Sequence, residues 1–193
     1  MEYKIKTKMN RKLKRKITTF ITLLFLIGNN IYGQKTEVVN FEKVYSFMNS
    51  TMTNDTIKFN LTDRIRFGMF GNDTTSILTD SLFNEADRYF FREQFAMLGN
   101  VKWEKGKIIG ANVISQQDIE KVFDRKNGWT KFRKKYGNCL TSFSLPIFNK
   151  NYDYCIIYHW RQCDYLAGYG STDLYKLENG KWIFIKSYMI GIS

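Results

Sequence analysis

Two rhythms of apolar residues run along this chain. In residues 37–50, Val38, Phe41, Val44, Tyr45 and Met48 fall three or four apart, which predicts a one-faced amphipathic helix. Ile57, Phe59 and Leu61 then alternate with polar residues, as do Ile65, Phe67 and Met69, and predict two short strands before Gly68 and Gly71 break the pattern. Helical spacing returns after Ser81, which is placed to cap a helix running to about Leu98. Glu85 and Asp87 lie near its positive end, Leu82, Phe83, Tyr89, Phe90 and Phe95 give it an apolar face, and Gly99-Asn100 closes it.

Residues 101–103 and 107–114 predict strands about the Lys105-Gly106 turn. Ser115 with Asp118 forms a capping box ahead of Ile119, Val122 and Phe123. A short helix over 129–136 follows Asn127-Gly128 and ends at Gly137. Its run Lys131, Arg133, Lys134 and Lys135 reads as a solvated face opposite Trp129, Phe132 and Tyr136.

The last quarter reads as a four-stranded antiparallel meander over 140–148, 152–160, 171–178 and 181–188. Asn179-Gly180 is a strong two-residue hairpin signal, since both positions must take φ > 0. It sets Glu178 opposite Lys181, Leu177 opposite Trp182 and Tyr175 opposite Phe184. Tyr175, Leu177, Trp182 and Phe184 therefore share one face, expected to be core, with Lys176, Glu178 and Lys181 on the other. The fold class is α+β: an antiparallel C-terminal meander packed with several helices.

The N-terminus changes the picture of where this domain works. The first sixteen residues carry eight lysines and arginines against Glu2, and 17–27 is an apolar run broken only by threonines. That order is the grammar of a secretion signal. Eleven residues fall short of the roughly 20 that a membrane span needs. Residues 1–33 are therefore expected to be a cleaved signal peptide, with Gly33 at the cut, and 34–193 a single domain without a transmembrane anchor, exported to the periplasm or the extracellular space.

The net charge of +12 belongs largely to that leader. Without it, 22 basic and 17 acidic residues leave +5, which removes the main support for a nucleic-acid partner. Aromatics at 17% and a single proline indicate an ordered body rather than a disordered stalk. The Asn-, Thr- and Asp-rich tract 49–80 is the expected mobile or modified stretch. Asn49, Asn54, Asn60 and Asn72 each open an Asn-x-Ser/Thr triplet there, and 55–57, 73–75 and 80–82 resemble an O-glycosylation pattern, although so polar a tract produces both by chance.

Gly128-Trp129, Phe132, Lys135-Tyr136, the run 143–149 (FSLPIFN), Cys163, Gly168-Tyr169-Gly170, Leu174-Tyr175 and Asn179-Gly180-Lys181-Trp182 together form a recurring pattern. It resembles the GWxxFxxxY, FSxPxFN, CGxG and NGxW region of uncharacterised exported Bacteroidota proteins. The match covers about 115–188, the clearest part of the chain. The resemblance implies fold and compartment, and brings no activity with it. Where the family pattern has Cys-Gly, this chain has Cys163-Asp164, which implies a longer loop.

Candidate chemistry is sparse. With Phe148 paired to Tyr152, Cys139 comes opposite Arg161, near Cys163, while Cys155 sits mid-strand opposite Leu145. Joining Cys163 to Cys155 would need the chain to double back about 16 Å. The expected disulfide is Cys139–Cys163 with Cys155 buried, and three free thiols are the alternative.

His159 is the only histidine. Cys155 lies about 13 Å from it along a strand, too far for a dyad. A Ser171–His159–Asp164 triad can be written, so His159 and Asp164 are the catalytic candidates, against a plainer role for His159 near a strand end, satisfied by backbone. Asp153, Asp164 and Asp173 could supply the carboxylate pair of a glycosidase. No metal is expected, since a zinc site lacks both a C-x-x-C and a second histidine. No cofactor is expected, since no Gly-rich phosphate loop is present.

The segment 161–170 reads as an exposed loop, with Arg161, Asp164, Tyr165 and Tyr169 as candidate ligand-binding residues. The expected function is a non-catalytic binding module with an envelope protein or glycan as partner. A hydrolase of an envelope polymer and a purely structural module are the alternatives.

Overall fold

A seven-stranded mixed sheet organises the protein, with Ala111–Ile114, Phe59–Thr62, Leu140–Phe143, Tyr154–Asp164, Ala167–Glu178 and Lys181–Ile192 side by side in that order and the short Ile147–Phe148 also paired to Tyr154–Asp164. The computed structural model describes residues 39–52, 58–66, 70–97, 101–124 and 127–193, the side chains of 70–73 and 97 excepted. These residues belong to one compact unit, Val38–Ser193. The expected signal peptide 1–33 and the expected Gly99-Asn100 helix end lie outside them.

Helix α1, Phe41–Phe47, starts where the Asn40 side chain accepts a hydrogen bond from the Lys43 N–H (3.0 Å), and continues into a π-helical turn, Met48–Met52. Strand β1, Phe59–Thr62, follows as expected. Of the second predicted strand only 65–66 are among the described residues, and they form no strand. Arg64 makes only an isolated bridge to Lys102, 67–69 are outside the described residues, and helix α2 runs Phe70–Thr79. The polar tract thus holds a helix despite poor intrinsic propensity, because Ile77 is fully buried and packing overrides propensity.

Helix α3 spans Glu85–Met97. Asn84, not Ser81, caps it: its Oδ1 accepts from the Asp87 N–H (2.9 Å), while Asp87 accepts from the Asn84 N–H (3.4 Å). Of the strands expected around Lys105-Gly106, only β2, Ala111–Ile114, is formed.

Helix α4, Gln116–Phe123, begins with the predicted Ser115–Asp118 cap, and α5, Gly128–Lys135, ends before Gly137 at φ +112°. Its four basic residues are exposed, as expected. The strands β3 (Leu140–Phe143), β4 (Ile147–Phe148), β5 (Tyr154–Asp164), β6 (Ala167–Glu178) and β7 (Lys181–Ile192) complete the sheet. Strand β1 is parallel to both β2 and β3, whereas the C-terminal strands form the predicted antiparallel meander.

The Asn179-Gly180 turn has φ of 51° and 77°, and all three predicted cross-strand pairs are present. The first meander pair is shifted. Tyr152 takes φ 58° inside a longer turn, so Phe148 faces Cys155, not Tyr152, and Cys155 does not face Leu145.

Both faces of the sheet are covered. On one, Phe47 of α1 packs against Phe148, Tyr175 and Trp182 with ring centroids 5.2–6.1 Å apart. On the other, Phe83 packs against Phe91 and Tyr154, while Ile114, Ile119, Trp129 and Phe132 form a second cluster under α4 and α5. The patch expected to be core is only half buried: Tyr175 and Trp182 pack under Phe47, but Leu177 and Phe184 are exposed because α1 stops short of them.

Candidate functional site

The segment 161–170 is not a loop. Strand β5 continues to Asp164 and β6 starts at Ala167, leaving only Tyr165 and Leu166 at the tip. The glycines that suggested a loop serve the sheet. Trp160 faces Gly170, where a Cβ would stand 2.1 Å from the His159 carbonyl oxygen and 2.9 Å from the indole; a Cβ on Gly168 would meet the same ring at 2.7 Å.

This pairing divides the predicted binding residues. Arg161 stands opposite Tyr169 and His159 opposite Ser171, all on one face. Arg161, Tyr169 and His159 line a cleft of about 320 Å³, together with Thr51, Phe59 and Tyr175. The π-helical turn brings Thr51 over its edge. A smaller cleft of about 240 Å³ adjoins it, shares Phe59, Thr141 and Arg161, and adds Lys58. No ion pair engages Arg161 or Lys58 among the described residues.

Asp164 and Tyr165 go elsewhere. Asp164 Oδ2 accepts from Arg133 of α5 (3.0 Å), and Tyr165 sits edge-on to Trp129 at 6.5 Å. The Tyr165 N–H, donating to Asp164 Oδ1 (2.8 Å), and then Arg133 hold the Asp164 carboxyl below the ordinary carboxylate range. These two residues fasten the hairpin tip to α5.

The triad geometry fails at two points. Asp164 is five residues along β5 from His159, about 16 Å. The acid that does reach His159 is Asp173, with Oδ2 3.1 Å from Nε2, yet Ser171 Oγ approaches the same nitrogen at 2.9 Å. A relay needs hydroxyl and carboxylate on opposite ring nitrogens.

Asp173 is buried, which by itself would raise its pKa. Hydrogen bonds from His159, Ser187 (2.6 Å) and Ser171 outweigh that and lower it, so the carboxylate is ionised. With Nε2–H donating to Asp173 and Ser171 also bonded to that carboxylate, Ser171 is not activated as a nucleophile. His159 is satisfied by side chains, not by backbone.

The carboxylate pair does not assemble either. Asp153 is bonded to Asn149 (2.6 Å) at the far end of β5 from Asp164, and Asp173 lies four or more residues along the sheet from both, at least about 13 Å. These separations exceed the 5–10 Å of a glycosidase.

Cys139 and Cys163 form the expected disulfide, and Cys155 is buried, its thiol pushed well up by desolvation. Among the described residues no group of three or more His, Cys, Asp or Glu is arranged to hold a metal, and no helix is long and apolar enough to cross a membrane.

Two of the Asn-x-Ser/Thr triplets are structural. Asn49 bridges the Lys107 carbonyl (2.9 Å) and the Ile109 N–H (2.8 Å); Asn60, 8% exposed, donates to the Tyr136 and Cys139 carbonyls and accepts from Asn112. Asn54 and the side chain of Asn72 lie outside the described residues.

Sequence reasoning missed Thr51, Phe59, Thr141 and Tyr175 as cleft residues. Phe59 and Tyr175 carried a period-two signal for strand, but nothing local marked which stretch of their face would stay uncovered. Comparison with known proteins finds no matching family model, no similar curated protein and no similar solved structure.

Proposed function

We propose that this protein is an exported, non-catalytic binding module of the cell envelope, and that the Arg161–Tyr169–His159 cleft takes an acidic glycan. The observation that carries this reading is the juxtaposition of two cations that no ion pair engages among the described residues, Arg161 and Lys58, with the rings of Tyr169 and Phe59 across adjoining clefts. A guanidinium recognises a carboxylate in a two-pronged geometry, and a tyrosine ring covers the apolar face of a sugar. Tyr175, pushed up to about 12 by burial and then by the nearby Asp173 and Cys155, keeps a neutral phenol at the cleft wall. Export is supported by the leader pattern and by the disulfide, since such bonds persist in oxidising compartments.

The test is calorimetric titration with uronic-acid oligosaccharides. Arg161→Ala and Tyr169→Ala should each weaken binding about tenfold, the loss of one charge-assisted hydrogen bond or one stacked ring, with an unchanged melting temperature. Unaltered affinity, or a melting temperature that falls in step with affinity, rejects the reading.

A second reading, an assembly module, is favoured by β7. It is a sheet edge twelve residues long that exposes Ile183, Phe184, Ile185, Ile190 and Ile192. A concentration-dependent dimer in sedimentation, abolished by Ile190→Lys, would promote it over the first.

A further inference from the structure

The opposite sheet face holds a larger cleft that the proposed glycan site does not use. It encloses about 450 Å³ and is lined by Thr62, Arg64, Arg66, Gln116 and Ser142, with Ile65, Ile119 and Leu140 as its apolar wall. The register places Leu140 and Ser142 on the face away from Thr141 and Phe143, which line the first cleft. The two sites therefore lie back to back across the sheet.

Three observations point to an oxyanion. First, no ion pair engages Arg64 or Arg66 among the described residues. The carboxylates next in sequence to the cleft lining are committed elsewhere: Asp63 to Lys102 (3.6 Å) and the Gln116 N–H (2.7 Å), Glu120 to the Gln116 side-chain amide (3.0 Å).

Second, Arg66 is held in place. Its guanidinium lies over the ring of the buried Trp160, 5.5 Å from the centroid, which orients a planar donor without using its N–H groups.

Third, Ser142 is 8% exposed, yet no hydrogen bond engages its hydroxyl among the described residues. The hydroxyl opens into the cleft, where it offers a ligand one donor and one acceptor. By contrast, the neighbouring Thr62 hydroxyl is occupied, donating to Gln116 Oε1 (3.4 Å) and accepting from the Arg64 N–H (3.2 Å).

We infer that this cleft binds a small amphipathic oxyanion, its head held by Arg64, Arg66 and Ser142 and its apolar body against Ile65, Ile119 and Leu140. A carboxylate and a phosphate monoester share the required chemistry: a planar or tetrahedral anion with several acceptor oxygens for two guanidiniums and one hydroxyl. The apolar wall makes a bare inorganic ion the weaker ligand.

Calorimetric titration of the exported domain with inorganic phosphate, octanoate and octyl phosphate tests this. One or both of the octyl compounds should bind more tightly than inorganic phosphate, and the better of them identifies the head group. Arg64→Ala and Arg66→Ala should each weaken the better ligand about tenfold, as expected for a charged hydrogen-bond donor. Ser142→Ala should weaken it less while leaving the melting temperature unchanged. Arg161→Ala, on the other face, should leave octyl-compound binding intact, so this result stands apart from the glycan reading. Failure of both octyl compounds to bind, or equal loss in Arg161→Ala and Arg66→Ala, overturns the inference.

Discussion

His159 shows how one residue's partners set its chemistry. Its Nε2 meets both Asp173 and Ser171, and Asp173 in turn accepts from Ser187 on β7. The cluster ties three strands together around one ionised carboxylate. Because the folded pKa of Asp173 is lowered, its contribution to stability is full above the ordinary aspartate value of about 3.9 and is lost as pH falls through the lower folded value. The stability gap between the natural protein and Asp173→Asn, measured by urea unfolding, should therefore be widest at neutral pH and shrink below about pH 4. A gap that stays constant down to pH 2.5 would show that the carboxylate's charge is not what matters. The residue types were all visible in the sequence. Which acid reaches the histidine was not, because Asp164 is nearer to it along the chain and Asp173 nearer only across the hairpin.

Among the elements, the β5–β6 hairpin decided the site. Gly168 and Gly170 look like flexible loop residues, yet they are strand positions cleared for Trp160. Gly170→Ala should cost about 2–3 kcal/mol, the range for forcing extra volume into a packed position, and denaturant unfolding would read it. A cost below 0.5 kcal/mol would mean that the strands part easily there. The far hairpin, with its Asn-Gly turn, was legible to the residue pair, as was the Ser115–Asp118 cap, since both depend on neighbours in the chain. Helix α2 was not legible. Its sequence, with three threonines and a glycine in ten residues, favours no helix, and the burial of Ile77 with Leu78 packed on the core holds it.

For the molecule as a whole, the Cys139–Cys163 bridge joins the start of β3 to the end of β5 across 24 residues. Closing a loop of that length in the unfolded chain contributes about 3 kcal/mol. The double replacement Cys139→Ser with Cys163→Ser should lower the unfolding free energy by about that amount. Alkylation of the unreduced, denatured protein should label one thiol only, Cys155; three labelled thiols would reject the bridge.

The sequence alone determined the α+β class, the meander and the Asn-Gly register, because turn geometry and side-chain period act between near neighbours. It favoured the Cys139–Cys163 pairing without deciding it, since the turn that pointed to that pairing is placed differently in the structure. Only the tertiary structure decided that β1 lies parallel between β2 and β3, that Arg161 and Tyr169 share a cleft from which Asp164 and Tyr165 are excluded, and that Arg64 and Arg66 flank a second cleft behind it. Those outcomes depend on which stretches of each sheet face the helices leave uncovered. That is settled by packing between segments far apart in the chain, for which no local pattern encodes the answer.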